Sequence, residues 1–351
     1  MTTSNSAFDF HLNRPGALIA AIPAVLGFVP EKSLVLVTVI AGEMGAVMRV
    51  DLSESLTDGL DHLADMAAAG SADAVIAVVV DKDGIDCSMC VDAYRTLSRE
   101  LGASLGDQGI ELYGMHVVDR VEAGGRWQCA DTCGNAGIVE DPASSPVTMA
   151  AVLDGRRLYA RRSELVEVIT TTDVNRTESL RGPIEKYSET MNYVDRDDAE
   201  VRADVEHAMA CAERVGAGGN LTGTNLVRLA CTVRDTRVRD TLYGLAVGED
   251  AGAAESLWAL LSRTLPELWR IEALVLLAFS AYARGDGPLA GVSLEAALGI
   301  DPKHRMASML DTALQTGMRP DQIRQLGLTG YRLGNRLGVN MPPRRTFGRS
   351  A

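Results

Sequence analysis

The stretch that decides the fold is SLVLVTVI, residues 33–40. Apolar and β-branched residues occupy both of its alternating faces, a pattern typical of a β-strand that is covered on both sides. The segment ADAVIAVVV, residues 72–80, has the same character. Two doubly buried strands this close in sequence predict an α/β domain in the first half of the chain.

Helical periodicity separates and flanks these strands. Asn13 and Pro15 indicate a helix start, and apolar spacing continues to Leu26 before Gly27. Further helices are expected at 56–69 and 91–105, and further strands at 46–52, 111–118 and around Trp127. Because a crossover that contains a helix joins parallel strands, the second, third and fourth strands should be parallel. The predicted fold class is therefore α/β plus all-α: a mixed, mostly parallel sheet with flanking helices, followed by a helical domain.

The sequence pattern changes near residue 170. We expect an α/β domain at 1–170 and a polar linker at 171–198, since that segment contains Gly182 and Pro183. Asp197 and Glu200 have the spacing of a capping box, which predicts the start of a helical domain over 199–338. The basic tail, 339–351, is expected to be disordered.

One helix pair, residues 274–302, resembles a tetratricopeptide repeat. Small residues at Ala278, Ala290 and Ala297 would let two antiparallel helices approach closely, and Pro302 would stop the second helix. Such a pair can line a groove for a partner, or it can be a packing unit inside a compact domain. Stable repeat arrays need at least about three copies, so the packing unit is favoured.

The chain also resembles a family of actinobacterial proteins known as a domain of unknown function. The resemblance rests on five stretches and does not extend to Cys87 and Cys90. It implies the two-part architecture and an intracellular location, but no activity. The five stretches are RPGALIAAIPAVLGFVPEKSLVLVTV (14–39), MRVDL (48–52), Trp127 with Cys129, RRLYARRSELVE (156–167) and LLAFSAYARGDGPLAGVSLEAAL (276–298).

Composition limits the partners. A net charge of -13 argues against nucleic acid, because binding phosphates requires clustered Lys and Arg. No apolar run approaches the roughly 18–20 residues of a membrane span, and the N-terminus lacks a signal-peptide pattern. We therefore expect a cytoplasmic protein without membrane contacts, in which the six cysteines are thiols or metal ligands.

Three predicted strands end in Val-Asp, at Asp51, Asp81 and Asp119. The carboxyl ends of parallel strands share one edge of a sheet, where open α/β folds bind ligands. With Asp83, Asp86 and Asp131 nearby, these carboxylates could hold Mg²⁺. The alternative is that each aspartate caps its own following turn.

The cysteines suggest a different metal. Cys87 and Cys90 lie between a predicted strand and helix, where a thiol can have a low pKa, but the Trp and Pro that flank this motif in thioredoxin-like proteins are missing. Cys129 and Cys133 could join them in a Zn²⁺ site, or all four could be small core residues.

His116, within a predicted strand, is a candidate general base and otherwise an ordinary strand histidine. Four arginines follow the long loop 129–146 and could bind an anionic ligand, or pair with Glu164 and Glu167 on a solvated face. These are Arg156, Arg157, Arg161 and Arg162.

Two functions compete. The chain has no nucleophile elbow, phosphate loop or dinucleotide fingerprint. The first hypothesis is therefore a non-catalytic interaction or regulatory factor whose helical domain binds a protein partner or a second copy. The alternative is a metal-assisted enzyme or ligand-binding domain that acts on a small phosphorylated compound.

Overall fold

The computed structural model describes residues 14–53, 56–131, 133–153 and 158–345. The chain divides between Arg162 and Ser163 into two compact units. The α/β class of the first part and the helical character of the second are both confirmed. No helix in the described ranges is long and apolar enough to cross a membrane.

The first unit is built around a six-stranded sheet of order β2-β1-β3-β4-β5-β6. β3 and β4 are parallel, and every other pairing between these strands is antiparallel. The expectation of a mostly parallel sheet was therefore wrong. The strands are β1 (Ser33–Ile40), β2 (Glu43–Asp51), β3 (Ala74–Val80), β4 (Glu111–Val118), β5 (Arg126–Cys129) and β6 (Ala136–Ile138).

The error lies in the position of β1. Seven of its eight residues are buried, whereas no residue of β2 is fully buried, so β1 is internal and β2 occupies the edge. β1 thus separates β2 from β3 and is antiparallel to both. As a consequence, β2 and β3 run in the same direction without pairing with each other.

Helices of the first unit cover this sheet. One face forms a core with α2 and α3, in which Leu63 and Leu101 contribute apolar side chains beside Leu36 and Val79. Residues of β1 and β3 that point to the opposite face, such as Val37, are equally buried. The helices are α1 (Pro15–Leu26), α2 (Leu60–Ala69), α3 (Ser88–Asp107) and α4 (Pro146–Leu153).

The rest of the chain is helical. The predicted linker is wrong in part, because residues 174–188 form α6, which buries Thr177, Leu180 and Ile184. The capping box of Asp197 and Glu200 is confirmed at the start of α7. The helices are α5 (Arg162–Glu167), α6 (Val174–Ser188), α7 (Asp198–Gly216), α8 (Gly223–Thr232), α9 (Thr236–Leu242), α10 (Ala251–Thr264), α11 (Ile271–Arg284), α12 (Gly287–Ile300), α13 (Arg305–Gln315) and α14 (Pro320–Leu337).

Two features of this helical unit bear on function. The helix pair expected near residues 274–302 is α11 and α12, and α11 is buried on nearly all of its surface. The start of the tail is ordered, contrary to expectation: the Tyr331 hydroxyl donates to the Pro342 carbonyl at 2.8 Å, and Val339 is buried. Residues 346–351 lie outside the described residues.

Candidate metal centre

A short loop joins β5 to β6 and holds the candidate centre. The Cys129 amide donates to the Asn135 carbonyl at 2.8 Å and so closes the base of the loop. The next amide, of Ala130, donates to the Met115 carbonyl at 2.8 Å, which fixes the loop to β4. Gly134 has a φ of +76°, a left-handed conformation that brings the chain back toward β6.

Three potential ligands converge in this loop. The Cys129 and Cys133 sulfurs and a carboxylate oxygen of Asp131 all lie within 4.8 Å of one another. The Cys133 amide donates to Asp131 Oδ1 at 3.3 Å, so the loop itself orients the carboxylate. Cys129 is half-buried while Asp131 and Cys133 are exposed, which leaves an entry path from solvent.

His116 lies beside this group on β4, although it is not among the side chains whose donor atoms all lie within 4.8 Å of one another. It pairs with Cys129 across the sheet, and its Nδ1 lies 3.5 Å from the Cys129 sulfur. The ring is 9% exposed and rests edge-on against Trp127, with centroids 5.3 Å apart. Burial lowers the pKa of His116 despite the opposing charge of Asp131, so the imidazole is neutral near pH 7, the form that binds metals.

The electrostatics of the loop favour a cation. Burial, the hydrogen bond with Cys133 and the charge of Asp131 together raise the pKa of Cys129 to about 12. The loop therefore disfavours ionisation of the Cys129 thiol in the absence of a cation. A divalent cation would reverse that effect by displacing the thiol protons, as metals do in cysteine sites.

The donor set identifies the metal class. Two thiolates, an imidazole and a carboxylate suit Zn²⁺, whereas Mg²⁺ requires oxygen ligands. Bonds of about 2.0–2.3 Å to a tetrahedral Zn²⁺ would place the donors closer together than the 4.8 Å limit observed here, a change that side-chain rotations can supply. The residues therefore fit zinc.

The three strand-end aspartates lie at one edge of the sheet, but the structure does not bring them together. Ser33 is level with both Asp51 and Val80, so β1 separates Asp51 from Asp81 by two strand spacings, about 9.6 Å. Within the described ranges, the group of three metal-ligating side chains contains none of these aspartates.

Each aspartate instead has its own cation. Asp51 is exposed and pairs with Arg49. Asp119 is buried, accepts the Arg126 amide at 2.8 Å and pairs with Arg120 at 3.0 Å. These contacts satisfy the carboxylates locally, as capping residues do.

Asp81 lies deepest of the three, with a side chain that is 4% exposed. It pairs with Lys32 and accepts the Tyr94 hydroxyl. Burial alone would raise the pKa of Asp81, but these hydrogen bonds outweigh it and hold the pKa below its usual value. The carboxylate is therefore ionised at neutral pH.

The remaining predicted site residues are dispersed. Cys87 and Cys90 are half-buried at the start of α3 and belong to no group of three ligands within the described residues. Arg161 and Arg162 are exposed, while Arg156 and Arg157 lie outside the described residues. The candidate site that binds anions therefore stays a prediction.

All four members of the centre are candidates from the sequence, but the sequence does not assemble them. Cys129 and Cys133 are candidate Zn²⁺ ligands with Cys87 and Cys90, Asp131 lies near the strand-end carboxylates, and His116 is a candidate base. The signal that would have joined the three loop residues is the C-x-D-x-C spacing, which places a ligand at every second position of a short loop.

Comparison with known proteins extends over both units. Residues 15–321 match the model of a family described as a domain of unknown function (DUF4192). No match is found among curated proteins or among solved structures. Because the matched residues include the sheet, the candidate metal centre and most of the helical unit, the chain belongs to the DUF4192 family.

Proposed function

We propose that this protein is a non-catalytic regulatory factor whose α/β unit binds Zn²⁺ through His116, Cys129, Asp131 and Cys133. The observation that carries the proposal is the convergence of the three loop donors within 4.8 Å, with His116 Nδ1 3.5 Å from the Cys129 sulfur.

The donor count favours a structural role for the ion over a catalytic one. Structural zinc has four protein ligands, whereas catalytic zinc keeps one position open for water. Here three loop donors converge, and His116, with Nδ1 3.5 Å from the Cys129 sulfur, is the fourth ligand that would close the coordination sphere. Zinc would then tie the β5–β6 loop to β4 and order this part of the surface, a local change that a partner could recognise.

A reducing cytoplasm, in an actinobacterial cell, is the setting we propose. Thiolate ligands persist where cysteines stay reduced, and all six cysteines are free thiols in the described structure. In an oxidising compartment, Cys129 and Cys133 would be open to oxidation, and the centre would lose two of its four donors.

The helical unit is the part that we propose binds another protein or a second copy of this chain. The tetratricopeptide-like pair does not offer the surface, because α11 is buried. A cleft of about 570 Å³, lined by residues that include Tyr187, Asn192 and Arg228, is the more accessible feature. Val194, in the chain segment that lines the cleft, is 88% exposed and offers an apolar contact.

The alternative of a metal-assisted enzyme for a small phosphorylated compound has less support. It requires Asp51, Asp81 and Asp119 to share an ion, yet each is engaged with a different cation. It also requires arginines beside that ion, and of the four candidates Arg156 and Arg157 lie outside the described residues.

Cobalt substitution tests the metal centre directly. Co²⁺ in a tetrahedral site with thiolates gives visible d–d bands and a near-ultraviolet sulfur-to-metal band. Full-length reduced protein is titrated with Co²⁺ and then with Zn²⁺, which should displace it. We expect saturation at one ion per chain, and loss of these bands in Cys129→Ser and Cys133→Ser.

The matched control is Cys90→Ser, which removes a half-buried thiol of the same unit without touching the centre. If the Co²⁺ bands survive in Cys133→Ser but vanish in Cys90→Ser, the proposed zinc ligands are refuted. They are also refuted if the native chain gives a spectrum typical of octahedral Co²⁺ without the sulfur-to-metal band.

Self-association is measured by sedimentation of the full chain over a range of concentrations, with and without Zn²⁺. We expect Val194→Asp to weaken association, while Val174→Asp, which is also exposed and apolar, leaves it unchanged. The interaction role would be contradicted if the native chain stays monomeric at every concentration, or if Val194→Asp associates as strongly as the native chain.

A further inference from the structure

Cys87 and Cys90 occupy the N-terminal turn of α3, the helix that connects the parallel strands β3 and β4. Cys87 is the N-cap: its sulfur accepts the Cys90 amide at 3.3 Å. A thiol is a weak acceptor and a thiolate a strong one, so this cap selects the ionised form of Cys87. The long helix adds a favourable dipole at the same point.

The two sulfurs are not equivalent. The thiol of Cys90 donates to Cys87, and this bond, with the amides of Cys90 and Met89, lowers the pKa of Cys87. The same interaction raises the pKa of Cys90, and the charge of buried Asp81 adds to the effect. The pair thus combines a thiol of lowered pKa with a neighbour of raised pKa, and the bond from the Cys90 amide to the Cys87 sulfur fixes both in one helical turn.

The surroundings hold this pair in place. The turn between β3 and α3 packs closely on Asp81 and Tyr94, since a Cβ at Gly84 would lie 2.9 Å from Tyr94 Cε2 and 3.0 Å from Asp81 Cβ. Arg126 of β5 pairs with Asp86 at 2.6 Å and ties the turn to the sheet. The thiols therefore sit on a rigid base at the carboxyl edge of the sheet, where α/β folds bind ligands.

We infer that Cys87 and Cys90 form a redox-active dithiol that exchanges with a disulfide of another polypeptide. Met89, between them, is 82% exposed and gives an apolar contact beside the reactive sulfur. A polypeptide disulfide can use that contact, whereas a small hydrophilic disulfide gains little from it. The site uses none of the four proposed zinc ligands.

The exchange proceeds in two balanced steps. The Cys87 thiolate attacks one sulfur of the substrate disulfide, a Cys87–substrate S–S bond forms, and the other substrate sulfur leaves as a thiolate. Cys90 then attacks Cys87, releases the second substrate sulfur and transfers its proton to a departing thiolate. Starting from one thiolate and one thiol, the chain loses two electrons and one proton. A second proton comes from water, which took it up when Cys87 ionised, and the substrate disulfide becomes two thiols. A low-molecular-weight thiol that is itself oxidised to a disulfide restores the dithiol.

Trypsin isolates this pair in one peptide. Cleavage after Lys82 and Arg95 gives residues 83–95, which contain Cys87 and Cys90 but no other cysteine. Full-length protein is equilibrated in buffers of reduced and oxidised glutathione, and its thiols are trapped by alkylation. The protein is then digested, and the mass of peptide 83–95 is measured by mass spectrometry. We expect complete conversion, over a defined redox range, to a species that is two hydrogens lighter and carries no alkyl group.

Exchange itself is followed with insulin as the polypeptide disulfide and glutathione disulfide as the small one. We expect faster reaction with insulin, loss of exchange in Cys87→Ser, and accumulation of a covalent insulin adduct in Cys90→Ser. Met89→Ser should slow the insulin reaction but not the glutathione reaction. Cys133→Ser, which removes the exposed thiol of the metal loop, should change neither.

Three outcomes would overturn the inference. The peptide 83–95 could remain fully alkylated even in the most oxidising buffer. The Cys87→Ser variant could exchange as fast as the native chain, or glutathione disulfide could react as fast as insulin. All of these exchange measurements are made with a metal chelator present. A negative result would therefore count against the dithiol alone and would leave the cobalt test of the zinc centre unaffected.

Discussion

His116 Nδ1 lies 3.5 Å from the Cys129 sulfur, across the pairing of β4 with β5. This contact joins a buried imidazole to a loop that carries two thiols and one carboxylate. It makes His116 a candidate fourth ligand beside the three-donor loop, and it explains why a strand histidine and a loop cysteine have to be considered together.

The role of His116 in metal binding can be measured. Loss of an outer hydrogen-bond partner weakens a metal site roughly 10–100-fold, and loss of a direct ligand should exceed that. We expect His116→Ala to weaken Zn²⁺ binding by more than about 100-fold in competition with a chromophoric chelator. His62→Ala, an exposed histidine on α2, is the control. Equal affinities in the two variants would exclude His116 as a ligand.

The reactivity of Cys87 should extend to lower pH than that of an ordinary thiol. Its pKa is lowered by hydrogen bonds from the Cys90 thiol and from the amides of Cys90 and Met89, with burial and the charge of Asp81 opposing. Because the thiolate reacts, the alkylation rate of Cys87 should reach half its maximum below about pH 8.5. Cys90→Ser, which weakens the leading hydrogen bond, should move that midpoint up. A midpoint at or above the ordinary thiol value in the native chain would contradict the argument.

Arg196 holds two buried carboxylates in the helical unit. Its guanidinium pairs with Asp235 at 2.7 Å and with Asp204, and the three side chains are 4–8% exposed. Arg196→Met should lower the free energy of unfolding by about 3–5 kcal/mol in urea denaturation, because Asp235 stays buried without its cation and Asp204 keeps only Arg228, at 2.7 Å.

Arg202 provides the contrast to Arg196. It pairs with Glu206 on an exposed helix face, so Arg202→Met should cost at most about 0.5 kcal/mol. Similar losses in the two variants would show that the buried network is not a major source of stability.

Gly16 permits the close approach of α1 to β6. A Cβ at this position would lie 2.4 Å from the Ile138 carbonyl oxygen, so Gly16→Ala should destabilise the first unit by about 1–3 kcal/mol. Gly102→Ala, in the middle of α3, should instead stabilise it by about 0.5–1 kcal/mol, since its Cβ makes an ordinary 3.6 Å contact with Leu112. Thermal unfolding followed by circular dichroism distinguishes the two, and a neutral Gly16→Ala would mean that α1 can shift freely.

Most elements of the fold could be predicted from local pattern. The start of α1 at Pro15, its end at Gly27 and the capping box at Asp197 follow from residues within one helical turn of each other. α6 was missed because Gly182 and Pro183 suggested a break, yet the helix continues through both, and burial of Leu180 and Ile184 accompanies it.

The sequence by itself determined most of the strands and helices and the chemical types available for a site, because periodicity and capping act over a few residues. Only the tertiary structure decided that β1 lies between β2 and β3, since that depends on which strand gains more by burial. The same holds for the candidate centre. Cys129, Asp131 and Cys133 are neighbours in the chain, but the pairing of β4 with β5 brings His116 to them, and pairing of distant strands is not encoded in any local spacing.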